Sequence, residues 1–222
     1  MNLERYTYLK RESYKEYGFY SEGPRGRVLK VVRFARISPN VAFCYNLSFG
    51  DWSESQQSMD DRSITNNGDT EKVLATVAAV VVDFTRIFPQ AVIYAMGGNP
   101  ARTRRYQMGI NKMLEEIEKT FYVYGGKDGL WGTFRKNINY DAFVIQRKEY
   151  LVLEEQTESC MTSSQKKNET GKTRVYDDRI VYEKDLVNEE TDPVVLKKKA
   201  MALKMLKESP LPEEILRGRK GF

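Results

Sequence analysis

The sequence contains no histidine among its 222 residues. A Ser-His-Asp triad, a Cys-His pair, a histidine general base and a histidine-ligated zinc ion are therefore excluded. Two cysteines are present, Cys44 in an apolar run and Cys160 in a polar one, and they provide neither a disulfide framework nor metal-ligand spacing. We expect no metal site, so any catalysis has to use carboxylates, tyrosine, lysine, arginine, backbone amides or a bound cofactor.

Long apolar runs are also missing. No stretch approaches the roughly 18 uninterrupted apolar residues that a membrane span needs. Residues 1–5 (MNLER) lack the apolar run of a signal peptide. We therefore expect a cytoplasmic protein without membrane contact.

Excess positive charge is confined to the C-terminal tail. The net charge is +5, and residues 194–222 hold eight Lys or Arg against three Glu, so residues 1–193 sum to zero. Residues 154–172 are rich in Ser, Thr, Gln, Lys and Glu and are typical of a linker. We predict an α+β domain (1–153), a polar linker (154–172), and a tail (173–222) with one strand and a basic amphipathic helix.

The domain pattern predicts a strand meander followed by two helices. Residues 6–9, 17–21, 28–37 and 43–49 are rich in aromatic and β-branched residues, and the polar residues 51–68 predict a long loop or hairpin extension. The first helix is indicated by an apolar stripe at helical spacing, with Asp69 as N-cap and Pro89 as its stop. The stripe consists of Val73, Val77, Val80, Val81, Phe84 and Phe88.

A short strand at residues 91–96 precedes the second helix, which begins at Asn99-Pro100 and extends to about Thr120. Further strands follow, the last at residues 142–147. A strand-helix-strand crossover implies a locally parallel pair. The expected fold class is thus α+β, with a mixed, mostly antiparallel sheet, two main helices and a helical C-terminal tail. In that tail, Leu196, Ala200, Leu203 and Leu206 are in register after Asp192-Pro193.

Three arginines occupy the first two turns of the second helix, where the helix dipole disfavours each cation by about 0.3–1 kcal/mol. Such a placement favours a compensating anion, and the glycines and amides at the same helix start suit a phosphate or carboxylate. We predict an anion-binding site at Gly97, Gly98, Asn99, Arg102, Arg104 and Arg105. The alternative is that the arginines reach solvent or pair with Asp51, Glu54, Asp60 and Asp61.

Three further residues are candidates for catalysis. The Tyr106 phenol is a possible general acid where histidine is absent, although its register with Ile110 and Met113 also suits core packing. Asp69 and Glu71 open the first helix, where carboxylates are equally favoured for capping alone.

The basic residues of the tail have two interpretations. They contact nucleic acid or an acidic partner, or they form an ordinary solvated face. The residues concerned are Lys197, Lys198, Lys199, Arg217, Arg219 and Lys220.

Three segments of the domain carry a family resemblance: residues 65–77 (TNNGDTEKVLATV), 99–110 (NPARTRRYQMGI) and 140–148 (YDAFVIQRK). They look like an uncharacterised family of small bacterial proteins that is classified only as a domain of unknown function. The resemblance covers roughly residues 3–148 and implies no particular activity.

The tail has a resemblance of its own. Residues 161–167 (MTSSQKK) read like the start of a separate small protein, and residues 194–222 look like the helix and basic end of a short companion protein. A globular domain joined to such a partner resembles the organisation of bacterial toxin–antitoxin pairs. We therefore expect a toxin–antitoxin or phage-defence type module whose tail docks on the domain and masks an anion-binding face.

The order of strands and helices resembles the acetyltransferase superfamily that uses acetyl-coenzyme A, and Asn99 and Tyr106 are similar to that family's Asn and Tyr on the second helix. The resemblance implies acetyl-coenzyme A as cofactor, none being expected otherwise, and Tyr106 as general acid. The chain departs from the family at residues 66–69 (NNGD), where the pyrophosphate loop of the family has more glycine and no acidic residue, and the interval from Tyr106 to Gly109 is one residue short. The enzyme and a nucleic-acid-binding tail are thus the two alternative functions.

Overall fold

The computed structural model describes residues 4–11, 13–37, 43–60, 65–148, 192–212 and 215. Several predictions concern residues outside these ranges. They are the linker at 154–172, the tail strand within 174–186, Asp61, Cys160, and the basic residues Arg217, Arg219 and Lys220.

The described residues form one nine-stranded sheet and three helices. The strands are β1 (Leu9–Lys10), β2 (Glu16–Gly23), β3 (Gly26–Arg36), β4 (Cys44–Ser53), β5 (Ser58–Asp60), β6 (Val92–Ala95), β7 (Phe121–Lys127), β8 (Leu130–Thr133) and β9 (Ala142–Arg147). The helices are α1 (Thr70–Ile87), α2 (Pro100–Ile117) and α3 (Pro193–Glu208). This architecture confirms the predicted α+β class, and β4 with β5 forms the hairpin extension expected from the polar residues 51–68.

The sheet has the order β1-β2-β3-β4-β6-β9-β7-β8, with β5 paired to the outer part of β4. All pairs are antiparallel except β4 with β6, the parallel pair that a strand-helix-strand crossover implied. This pairing is short, since it joins only Cys44 through Leu47 to Val92 through Ala95. Beyond Leu47, β4 continues along β3 and β5, whereas the chain after Ala95 turns away towards α2. The two strands therefore diverge at this edge.

The sheet is covered on both faces, and the alternation within β6 shows how. Ile93 and Ala95 belong to the larger core with α1 and α2, while Val92 and Tyr94 belong to a second core with α3. Successive residues of a strand point to opposite faces. It follows that α1 and α2 pack on one face and α3 packs on the other.

The buried face of α3 agrees with the second half of the predicted stripe and differs from the first half. Leu206 is buried and Leu203 packs against the second core, as predicted. Leu196 is 47% exposed and Ala200 is also exposed, and Val195, Lys198 and Ala202 are buried instead. The rotation of the helix is set at its start by Asp192, whose Oδ1 accepts hydrogen bonds from the Val194 and Val195 amides. Its Oδ2 accepts from buried Arg33 and from the Met59 amide. These contacts outweigh the local apolar pattern.

Candidate functional site

Helices α1 and α2 leave a groove between them on their face of the sheet. Two adjoining cavities of about 530 and 430 Å³ make up this interhelical groove. The early residues of both helices line the larger cavity and the later residues line the smaller one, so the helices run alongside each other in the same direction. Both cavities share a junction formed by Phe49, Leu74, Tyr106 and Gly109. The groove lies where β4 and β6 diverge.

The larger cavity is the charged half of the groove. Its cationic side chains are Lys30, Arg102, Arg105 and Lys112. Two of these are paired: Lys30 contacts Asp51 and donates to Thr65 Oγ1 at 2.6 Å, and Lys112 Nζ lies 2.5 Å from Glu71 Oε1. Arg105 is exposed and makes no ion pair with any described residue. Its guanidinium is available to an anion.

The start of α1 forms another wall of the charged half. Asp69 stands at the N-cap position that the sequence predicted, but its side chain makes no capping hydrogen bond. Its carboxylate instead accepts from Tyr6 Oη at 2.9 Å and from Ser21 Oγ at 2.6 Å. Burial raises the pKa of Tyr6, and the hydrogen bond to Asp69 acts in the same direction, which keeps the phenol a donor. The first amides of α1 thus lack a side-chain cap where Thr70 and Glu71 line the groove.

The smaller cavity is the apolar half. It is walled mainly by aliphatic side chains of the two helices, namely Val77, Ala78, Val82, Ile110, Met113 and Ile117. Leu47 and Phe143 from the sheet also line it. Tyr106 stands where this half meets the charged half.

The predicted anion site is divided by the structure. Only Arg102 and Arg105 line the interhelical groove. The other four residues line a separate cavity of about 450 Å³ that also includes Met201 of α3; they are Gly97, Gly98, Asn99 and Arg104. The six residues therefore do not form one site, because the helix start and the next turn point to different sides of α2.

Local structure accounts for most of this second group. The Asn99 side chain caps α2 as predicted, accepting from the Arg102 amide at 3.0 Å. Arg104 donates to Asn139. The Gly97 amide donates to Thr103 Oγ1 at 3.1 Å, and a Cβ at Gly97 would overlap the Thr103 backbone nitrogen. The glycine is required by close backbone packing.

The structure brings together residues that the sequence considered separately. Arg102, Arg105, Tyr106, Asp69 and Glu71 all line the charged half. Reasoning from the sequence missed Lys30 and Lys112. Lys112 follows Arg105 by seven residues and so shares its helix face, a signal present in the sequence. Lys30 lies on β3, and no local signal connected it with the helices.

The basic residues of the tail are not equivalent. Lys197 is exposed and Lys199 is half-buried, but Lys198 is buried, with 3% of its surface exposed. Lys198 is therefore inaccessible to a nucleic acid while α3 is docked, contrary to its prediction as a contact residue. Asp51, suggested as a partner for the arginines, pairs with Lys30 instead.

Among the described residues, no group of three or more cysteine or acidic side chains could hold a metal ion. None of the helices in this part of the chain is long and apolar enough to cross a membrane.

The fold and the groove define an α+β protein with a ligand-sized site between two crossover helices. Residues 2–148 match the family described as "Family of unknown function (DUF6934)", and the chain belongs to that family. The match confirms the resemblance to an uncharacterised domain and ends before α3, which starts at Pro193. Comparison with curated proteins and with solved structures gives no match.

Proposed function

We propose that the interhelical groove binds an acyl-coenzyme A and that the domain is an acyltransferase-like enzyme. The observation that carries this proposal is the division of the groove into a charged half and an apolar half with Tyr106 at their junction. A coenzyme A thioester also has a charged and an apolar end, because its phosphates and its acyl group lie at opposite ends of an uncharged pantetheine arm.

The charged half supplies two kinds of phosphate-binding group. Arg102 and Arg105 contribute guanidinium groups, and the start of α1 contributes amides without a side-chain cap. Amides at a helix N-terminus favour anions, and guanidinium groups bind phosphate oxygens in pairs. The order of strands and helices adds support, because it resembles that of the acetyltransferase superfamily.

Tyr106 is the proposed general acid. A neutral amine of the acceptor attacks the thioester carbonyl carbon, so that a C–N bond forms and the C–S bond breaks. The leaving sulfur takes a proton from the Tyr106 hydroxyl. The extra proton on the acceptor nitrogen passes to solvent. The Tyr106 phenolate then takes a proton from solvent, which restores its hydroxyl. General acid catalysis of this kind contributes about 10²–10⁴-fold to a rate.

Thermal unfolding of the full chain with millimolar acetyl-coenzyme A tests the binding. A ligand that binds only the native state and is present at a concentration of about a hundred times its Kd raises the melting temperature by several degrees. Arg105→Ala should reduce this rise, whereas the neighbouring Arg104→Ala should preserve it, because Arg104 lies outside the groove. Absence of any shift for the unmodified chain would reject the proposal.

Tyr106→Phe separates binding from chemistry. We expect it to retain the Kd for acetyl-coenzyme A and to lose about 100-fold or more in acyl transfer to an amine acceptor. If turnover is unaffected, Tyr106 is not the acid.

A second candidate is the toxin–antitoxin type module with an intramolecularly docked tail. It is favoured by the contact of Asp192 with Arg33, which buries a charge pair between α3 and the sheet. Expression of the full chain with Asp192→Lys, which opposes like charges, should release the tail and slow bacterial growth. Lys197→Glu on the exposed side of α3 is the control. Equal growth of both strains would reject this candidate.

Nucleic-acid binding through the tail retains Lys197 and Lys199 as candidate contacts, together with basic residues beyond the described part of α3. It predicts an affinity for RNA or DNA that falls steeply with salt. Lys197→Ala with Lys199→Ala should weaken that affinity and reduce its dependence on salt.

A further inference from the structure

Two apolar stripes face each other across the interhelical groove. The stripe on α1 comprises Leu74, Val77, Ala78 and Val82, and the stripe on α2 comprises Gly109, Ile110 and Met113, so each lies on one face of its helix. All seven are partly exposed, and Val77, Val82, Ile110 and Met113 pack against the main core. Two helices that pack directly would bury such stripes against each other at an interaxial distance of 8–10 Å. Here the stripes line a cavity instead of packing against each other along their whole length.

The stripes meet at the junction. A Cβ placed on Gly109 would lie 2.9 Å from Leu74 Cδ1, so these two residues meet between the halves. Beyond them lies the apolar half, with a volume of about 430 Å³. Its lining also includes the charged residues Arg5, Asp83, Arg86 and Glu116, of which the last three come late in the two helices. Charged side chains therefore lie on both sides of the apolar stretch.

A contiguous apolar surface with a polar border is typical of a binding site. An occupant that suits both halves is apolar along its length and continues at the Tyr106 end into a polar arm, whose anionic groups reach Arg102 and Arg105 in the charged half. A saturated acyl chain attached to a phosphate-bearing carrier meets both conditions. An acetyl group, with one methyl carbon, would leave most of the apolar half empty.

We infer that the apolar half of the groove binds the acyl chain of a medium-chain acyl-coenzyme A, so that the preferred donor carries several methylene groups. This inference rests on the proposed function and adds to it the class of acyl group.

Isothermal titration of the full chain with acetyl-, butanoyl-, hexanoyl-, octanoyl- and decanoyl-coenzyme A tests the inference. Burial of each methylene group tightens binding by at most about fourfold. We expect the Kd to fall with each added pair of carbons and then to level off once the cavity is filled. Acetyl-coenzyme A should bind with the weakest affinity of the series.

Ala78→Phe narrows the apolar half and should flatten the dependence of the Kd on chain length. Ala101→Phe adds the same volume at an exposed position of α2 and is the matched control. Ile110→Gln is the second variant in case Ala78→Phe fails to fold. It places an amide in the same cavity without adding bulk and should selectively weaken the binding of the long-chain esters.

Four outcomes overturn the inference. A Kd that is independent of chain length would show that the apolar half does not bind the acyl chain, and would leave the proposed function intact. Binding of free decanoate without binding of any coenzyme A ester assigns the cavity to a fatty acid instead. A concentration-dependent doubling of mass in sedimentation, abolished by Ala78→Phe, assigns the stripes to an interface between two copies. Failure of every coenzyme A ester to bind removes the proposed function and this inference with it.

Discussion

Arg33 and Asp192 form a buried ion pair that joins the centre of the sheet to the C-terminal helix across 159 positions of the sequence. Both side chains are completely shielded from solvent. Arg33 also contacts Glu16, and Asp192 accepts a hydrogen bond of 3.0 Å from the Met59 amide. Each charge is therefore compensated where water is absent. The tail is held by a specific polar contact as well as by apolar packing.

Asp192→Ala should destabilise the protein by about 3 kcal/mol or more, because it leaves part of the Arg33 charge buried without its partner and removes the cap of α3. Urea unfolding followed by far-ultraviolet circular dichroism measures the loss. Glu208→Ala is the control: its partner Lys204 lies 3.9 Å away on the surface, and such a pair contributes less than about 0.5 kcal/mol. Equal losses in the two variants would contradict a structural role for the buried pair.

The tail shows what the sequence could and could not predict. Asp192-Pro193 predicted the start of α3 correctly, because the cap residue and the first-turn proline are local signals. The first half of the buried face was predicted wrongly, because Asp192 at the start of the helix contacts the distant Arg33, whereas Leu206 is buried as predicted. An apolar pattern defines a face only when apolar contacts alone orient the helix. In α3 the buried Lys198 interrupts that pattern.

For the candidate site too, the sequence predicted single residues but not their arrangement in space. Arg102, Arg105 and Tyr106 were identified from the helix start, and Asp69 and Glu71 from the start of α1. Their meeting in one groove depends on where β4 and β6 diverge, which is a property of strand register. The separation of Arg104 from Arg105 likewise required the packing of α2 on Asn139 and its surroundings. Residue types were predictable, and their grouping was not.

Gly97→Ala should destabilise the protein by about 1–3 kcal/mol, because the added methyl group would overlap the Thr103 backbone at the start of α2. Gly132→Ala in β8 is the matched control, since a Cβ there has no neighbour within 4 Å. The midpoints of thermal unfolding of the two variants provide the comparison. If both are as stable as the original chain, the approach of residue 97 to α2 is looser than described.

Tyr6→Phe should cost about 1.5–3 kcal/mol, the usual range for a hydrogen bond to a charged group. The lost hydroxyl donates to Asp69 Oδ2 and also accepts from the Glu22 amide at 3.1 Å. Tyr14→Phe removes the same atom from a ring that is 43% exposed and has no hydrogen bond to a described residue through its hydroxyl. Unfolding in urea should therefore distinguish the two substitutions, and an equal effect would place the Asp69 carboxylate in solvent.

Cys44 gives the stability of the domain a specific dependence on alkaline pH. The thiol is fully buried in β4, and burial raises its pKa from 9.0 to about 12. Well below pH 9 the thiol is protonated in both states and has no effect on the free energy of unfolding. Between about pH 9 and 12 the unfolded chain loses this proton and the native chain does not. Stability should then fall by about 1.4 kcal/mol per pH unit.

Cys44→Ala tests this dependence through the slope of the free energy of unfolding against pH. The variant starts from a lower stability, because it leaves a small cavity, but its free energy of unfolding should decline less between pH 9 and 10 than that of the original chain. Buried Tyr17 and Tyr94, whose pKa values burial also raises, contribute in both proteins only above about pH 10. Cys160→Ser is the control for the other thiol. Parallel curves for Cys44→Ala and the original chain would show that Cys44 ionises as readily in the native protein as in the unfolded one.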